Sequence, residues 1–150
     1  MKRSAGLLLF RRRGHVPDVL LVHPGGPIWA KRDAGAWSIP KGEPNAGEEP
    51  LAAARREFAE ELGASVDGDF IPLTPVRQPG GKTVYAFALE ADFDIGTVVS
   101  NTFTMEWPPR SGRQQSFPEI DRAEWFALDV ARQKILAGQA PLLDELTRLV

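Results

Sequence analysis

The sequence predicts an α+β fold built on a mixed sheet. Short apolar runs of strand character and stretches of helical character follow one another without regular alternation, and the helices are too few to cover both faces of a doubly wound parallel sheet. The 150 residues, 43% hydrophobic and 25% charged, have the size and composition of one globular domain, so a single domain over 1–150 is expected. No internal repeat, low-complexity tract or dividing linker is visible.

Taken in order, residues 5–10 and 18–22 are apolar runs separated by the polar stretch RRRGHVP, and they read as a strand pair in a hairpin-like arrangement. The basic start and apolar run of MKRSAGLLLF stop at Arg11, Arg12 and Arg13 without a cleavage pattern, so this segment reads as a strand of a cytoplasmic protein. Glycine and proline punctuate the loop from Pro24 to Trp37, and a third, very short strand is expected at 37–39. Pro50 at a first turn, three alanines, and Gly63 just past the end mark a helix over Pro50–Leu62. Strands follow at 83–90 and 98–105, then the loop WPPRSGRQQSFPE, a strand at 124–128, and helical segments at 129–136 and 141–149.

A formal net charge of −2 gives no global attraction to nucleic acid or to an anionic membrane, and neither is expected as a partner. The chain has no cysteine, which removes thiolate chemistry and cysteine-based zinc sites. A monomer or homodimer is expected.

The first helix raises a question of charge. Glu57, Glu60 and Glu61 span an arc of roughly 100°, where like-charge neighbours cost about 0.2 to 0.5 kcal/mol per pair. Leu51, Ala54, Phe58 and Leu62 form the buried face. Ala53, one turn before Glu57, reads as a small residue leaving space for a ligand. Solubilising glutamates on a solvated face are the ordinary alternative, but such faces usually pair each Glu with a Lys four residues on, and this face has no lysine. Several oxygen ligands on a rigid element suit a hard divalent cation, magnesium or manganese, that retains waters for a phosphate-bearing substrate. Zinc is disfavoured, since the histidines, His15 and His23, lie in the N-terminal hairpin and are not paired with the acids.

Gly42, Glu48, Arg56, Glu57, Phe58, Glu60, Glu61 and Gly63 stand at the spacing G-x5-E-x7-R-E-U-x-E-E-x-G-U, with U a bulky apolar residue, and so resemble the Nudix box. Only the last position departs, Ala64 being smaller than usual. The flanking WSIPKG and AEWFAL also look like the family. The resemblance implies an α/β/α sandwich that hydrolyses a nucleoside diphosphate linked to a further group. It implies Glu57, Glu60 and Glu61 as magnesium ligands, the Lys41 carbonyl as an added ligand, Arg56 as the residue orienting a box glutamate, and Glu48 as a structural partner or a residue at the edge of the site.

Metals bridging the phosphate oxygens neutralise charge and acidify the attacking water, and a carboxylate must take its proton. Glu57 is the first candidate for that base and Glu119, in SFPEIDRAEW, the second. The Pro-Lys-Gly approach resembles relatives acting on dinucleoside polyphosphates or inositol pyrophosphates, with Lys41 as a mobile cation for an extra phosphate. Lys31, Arg32, Arg110 and Arg113 are candidates for a phosphate-binding rim, and Trp29, Trp37, Tyr85 and Trp107 for stacking a base. Alternatives are a triphosphate-cleaning or ADP-ribose-type pyrophosphatase, and a non-catalytic nucleotide-binding module, which retention of every box acid disfavours.

Overall fold

The computed structural model describes residues 2–14 and 16–150; His15 lies outside them. Nine strands and three helices are described: β1 Arg3–Arg12, β2 Pro17–Pro24, β3 Lys41–Gly42, α1 Pro50–Leu62, β4 Ile71–Pro72, β5 Val76–Gln78, β6 Lys82–Glu90, β7 Thr102–Glu106, β8 Gln114–Pro118, β9 Ile120–Ala127, α2 Leu128–Lys134 and α3 Ala140–Leu149. The main sheet runs β4-β6-β1-β2-β9, with β3 added to β1 and β5 to β6. β1 and β6 are parallel and the other pairs antiparallel, so the sheet is mixed. β7 and β8 form a separate two-stranded ribbon.

β1 is apolar on both faces because both are covered. Leu8 and Phe10 point into a core shared with Trp37 and with Leu142, Leu143 and Leu146 of α3. Ala5, Leu7 and Leu9 point into a second core with Ala54, Phe58 and Leu62 of α1. Helices on both sides of one mixed sheet give the α/β/α layering.

The β1–β2 hairpin is paired only near its turn, from Phe10↔Val19 to Arg12↔Pro17. Beyond that the strands splay, and the segment after Trp37 pairs with each. Val22 and Ser38 exchange backbone hydrogen bonds of 2.8 and 3.0 Å, while the Leu7 N–H donates to the Pro40 carbonyl at 3.2 Å. The expected strand at 37–39 is therefore an isolated bridge, and the true ladder falls at Lys41–Gly42, opposite Gly6 and Ala5. This wedge delivers Lys41 and Gly42 beside α1.

Elsewhere the expected 98–105 strand begins only at Thr102, after a 3-10 turn at Ile95–Thr97, and the 124–128 strand begins four residues early at Ile120. The loop after Trp107 contains β8. β4, β5 and β8 were not legible: the first two are two and three residues long and are defined by their partner β6, and β8 is the polar sequence QQSFP.

Candidate active site

α1 ends as its residues dictate. Gly63 takes a left-handed φ of 81° and its N–H closes on the Ala59 carbonyl at 2.8 Å. The buried face is Ala53, Ala54, Phe58 and Leu62, with Leu51 half-buried. The ligand space expected above Ala53 does not exist: Ala53 is fully buried in the α1 core, where its small side chain permits close packing against the sheet. Ala64 is exposed, and Val66 makes the neighbouring apolar contact with that core.

Much of the positive charge among the acids comes from Arg56. Its Nε donates to Glu48 Oε2 at 3.0 Å and its Nη2 to Glu48 Oε1 at 2.9 Å, a two-pronged pairing. Nη1 donates to Glu57 Oε1 at 2.9 Å and to both oxygens of Glu60 at 3.1 and 3.2 Å, and Nη2 also reaches the Glu43 carbonyl at 3.1 Å. Glu48 in turn accepts from the Asn45 N–H at 2.9 Å, so the arginine ties the loop before α1 to the helix. The guanidinium holds the Glu48 carboxyl below the usual carboxylate range. Gly42 completes the packing: a Cβ there would lie 2.0 Å from the Glu57 carboxyl carbon, so only glycine lets Glu57 cross β3.

Glu61 has different surroundings. Burial pushes its carboxyl up to about 8, and the charges of Glu57 and Glu119 add to the shift, while the Lys41 ammonium and backbone N–H oppose it. Glu57 is also raised, by burial first, against the lowering effect of Arg56. Lys41 is lowered by burial and by Lys82, with Glu61, Glu43 and Glu57 holding it up.

Lys41, Glu61 and Glu119 line a cavity of about 410 Å³ with Trp29, Ser38 and Gln78, among others. Its wall is braced by Gln139, which is fully buried on the turn before α3. The Gln139 amide donates to Ser38 Oγ at 3.0 Å and to Gln78 Oε1 at 3.1 Å, and its oxygen accepts from the Ile39 N–H at 3.1 Å. Neither Gln78 nor Gln139 carried a sequence signal; both lie in segments that only the tertiary fold brings to β3.

The fold thus gathers Lys41, Glu48, Arg56, Glu57, Glu60, Glu61 and Glu119 in one region. Glu119 sits between β8 and β9, where its N–H donates to the Asn101 carbonyl at 2.7 Å and its carbonyl accepts from Gly25 at 2.9 Å. Lys31 and Arg110 are exposed and are not among the residues lining this cavity; Arg110 sits at the tip of the β7–β8 ribbon with φ 62°. Trp29 is half-buried on the cavity wall. Trp37 is buried and donates its indole N–H to Asp33 at 2.8 Å, and Tyr85 packs against the α1 core. His23 is buried away from the acids, between the Asp121 carboxylate at 2.7 Å and the Arg32 carbonyl at 2.6 Å.

A NUDIX domain model matches residues 1–146. The chain belongs to this family. It resembles an Ap4A hydrolase of C. elegans in a binary complex, with 20% identity, 99% of this chain and 97% of that one covered, and a TM-score of 0.64. The NUDIX domain of Shewanella oneidensis NrtR complexed with ADP ribose matches at 18% identity over 99% of this chain and 86% of that one, with a TM-score of 0.64. A Nudix hydrolase from M. smegmatis, RenU, matches at 23% identity over 99% and 87%, with a TM-score of 0.62. At these identities the neighbours establish the Nudix fold. Family membership makes this Nudix chain a pyrophosphohydrolase, and Nudix hydrolases generally need a divalent metal.

The donor set fits that requirement. Among the described residues no three acidic or histidine side chains converge closely enough to hold an ion by themselves. A hard divalent cation can be held by one or two carboxylates together with waters and substrate phosphates, and Glu57 and Glu61 are carboxylates that could serve. Gly42 leaves room for the Glu57 carboxylate, and a crowded Glu61 carboxyl is a group whose charged form a cation would favour. Among the described residues, no helix is long and apolar enough to cross a membrane.

Proposed function

We propose that this chain hydrolyses a phosphoanhydride bond of a dinucleoside polyphosphate such as diadenosine tetraphosphate. Glu57 and Glu61, with the Lys41 carbonyl, would hold magnesium, and Glu60 would complete the acidic edge. Magnesium bound there would neutralise phosphate oxygens and acidify the attacking water. The oxygen of that water forms a bond to phosphorus as the bridging P–O bond breaks, and the water's proton passes to a carboxylate. Glu57 already accepts from Arg56, which suits a ligand held in place. Glu119, on the cavity wall, suits the proton acceptor.

The observation that carries this reading is Lys41 in the same cavity as Glu61 and Glu119. Its ammonium is available to a phosphate that extends beyond the metal-binding acids, which a longer polyphosphate supplies and ADP-ribose does not. The C. elegans neighbour is an Ap4A hydrolase. The NrtR neighbour, of equal TM-score, is complexed with ADP ribose and supports an ADP-ribose-type reading as the second.

The test compares kcat/KM on diadenosine tetraphosphate and ADP-ribose for wild type, Lys41→Gly and Lys41→Met. The proposal expects wild type to prefer the tetraphosphate, and both variants to lose about 1 to 3 kcal/mol more on it than on ADP-ribose. Equal losses, or a wild-type preference for ADP-ribose, would replace it with the second reading.

A further inference from the structure

His23 continues the face of β2 that Val19 and Leu21 bury, and its ring meets Trp37 edge-on with centroids 5.2 Å apart. It is fully buried, and none of the chemistry above uses it. The ladder between β2 and β9 brings its partner. His23 stands opposite Arg122 and Pro24 opposite Ile120, so Asp121 is the extra residue of a bulge, an irregularity that re-aims a side chain. The Asp121 carboxylate lies 2.7 Å from His23 Nδ1, and the Arg32 carbonyl oxygen lies 2.6 Å from Nε2.

Both of these oxygens are acceptors. A neutral imidazole has one N–H, so it satisfies one of them and turns a buried nitrogen lone pair on the other, whereas a ring with two N–H groups satisfies both. Asp121 then supplies the counter-charge. It is the charged group in direct contact with the ring. Around it, Arg122 of β9 lies 3.9 Å from Asp121, Asp33 of the loop pairs with Lys134 of α2 and accepts from the Trp37 indole, and the Arg32 guanidinium lies over Trp29. The two oxygens belong to two walls of the catalytic cavity. The Arg32 N–H donates to the Trp29 carbonyl at 2.9 Å, and Trp29 lines the cavity. Asp121 follows Glu119, also on the cavity wall, by two residues, and the Glu119 carbonyl accepts from the Gly25 N–H at 2.9 Å.

We propose that His23 is a positioning residue for hydrolysis: as an imidazolium bonded to both oxygens it clamps the loop carrying Trp29 to the β8–β9 corner carrying Glu119, and loss of one ring proton releases the clamp. The effect on turnover rests on the hydrolase reading above; the clamp itself rests on the two hydrogen bonds. On deprotonation the remaining N–H stays with the carboxylate, the stronger acceptor, so the Arg32 carbonyl is the contact given up. The loop after β2 then loses its tie to β9 at His23, and Glu119 is held less firmly for its proton transfer.

The test follows three quantities against pH in the full chain: the His23 ring nitrogens by 15N–1H spectra, assigned with His15→Gln; hydrogen exchange of the Gly25 amide; and kcat on diadenosine tetraphosphate with magnesium. Wild type is expected to show both ring nitrogens as N–H in the protonated form. As pH rises, one ring proton, the Gly25 protection and about tenfold in kcat should be lost together, with KM little changed. Asp121→Asn, at a partly exposed position, removes the counter-charge and should move all three transitions to lower pH by about one unit. Folding is checked by circular dichroism. Wild-type Gly25 protection and kcat that ignore the ring's titration, or an Asp121→Asn shift confined to the ring, would overturn the clamp. Ring titration coupled to Gly25 protection in a chain that hydrolyses no dinucleoside polyphosphate supports the clamp and removes the hydrolase reading. Hydrolysis uncoupled from the ring does the reverse.

Discussion

Glu48, Glu57 and Glu60 share one arginine, whereas Glu61, the next residue along α1, is met by burial and by Lys41. On the arginine side the carboxylates are satisfied by the protein's own hydrogen bonds, and Glu48 is held below its usual range. On the cavity side Glu61 is pushed up to about 8 with Glu57 and Glu119 repelling it. Two uses of acid thus meet at one helix: the first fixes the loop-helix geometry, and the second leaves a buried carboxyl whose charged form a cationic ligand would favour. A count of glutamates alone does not separate them; the partner does.

The largest expected effect comes from breaking the cavity side. Glu61→Gln should lower kcat by two orders of magnitude or more, about 3 kcal/mol of barrier, with the fold intact by circular dichroism. Wild-type turnover would remove Glu61 from the metal-binding set. Breaking the arginine side should act differently. Arg56→Ala frees Glu48, Glu57 and Glu60 together, so kcat should fall more than KM rises, and stability in denaturant titration should drop by about 1.5 to 3 kcal/mol. A raised KM at unchanged kcat would instead make Arg56 a substrate contact.

Glu48 and Glu61 also carry opposite pH signatures. Glu61 titrates at 4.5 as a free side chain and at about 8 in the folded, metal-free protein. Between those values the folded state binds more protons than the unfolded one, so the stability present below 4.5 is lost as pH rises through 8. Glu48 is lowered, so its contribution is present at neutral pH and is lost as pH falls through its folded value. Thermal melts in EDTA should therefore show wild type losing stability relative to Glu61→Gln between pH 5 and pH 8.5, and added magnesium should raise Tm more at the upper end. Parallel profiles would contradict the assignment. The smallest effect is expected at Lys31→Ala and Arg110→Ala, which lie off the cavity wall and should change kcat/KM by about threefold or less.

How much of this was legible in the sequence follows the range of the forces involved. α1 matches its expected span because Pro50 and Gly63 are local signals. The roles of Arg56 and Glu48 came from the resemblance to the Nudix box, and no local rule of helix or turn pairs the two. Ala53 was misread because its position on the acid arc says nothing of the sheet packed against it. Gln78 and Gln139 meet across 61 residues, a contact that no local pattern encodes. The cleft between the loop after β2 and the β7–β8 ribbon was invisible for a similar reason: QQSFP has no strand pattern, so the ribbon carrying Phe103 and Met105 could not be placed over the loop carrying Trp29.

The division of the acid cluster is tested most directly by calorimetric titration of manganese into wild type, Glu61→Gln and Glu48→Gln at pH 7.5, in two buffers of different ionisation enthalpy. Burial and the neighbouring carboxylates raise the wild-type Glu61 carboxyl to about 8, so the metal-free protein retains protons that a free carboxylate would have lost, and binding should release protons. Glu61→Gln should bind at least tenfold more weakly and lose that release, while Glu48→Gln should still bind and still release it. Wild-type affinity and proton release in Glu61→Gln, or their loss only in Glu48→Gln, would show that Glu48 rather than Glu61 belongs to the metal-binding set and that the division drawn here is wrong.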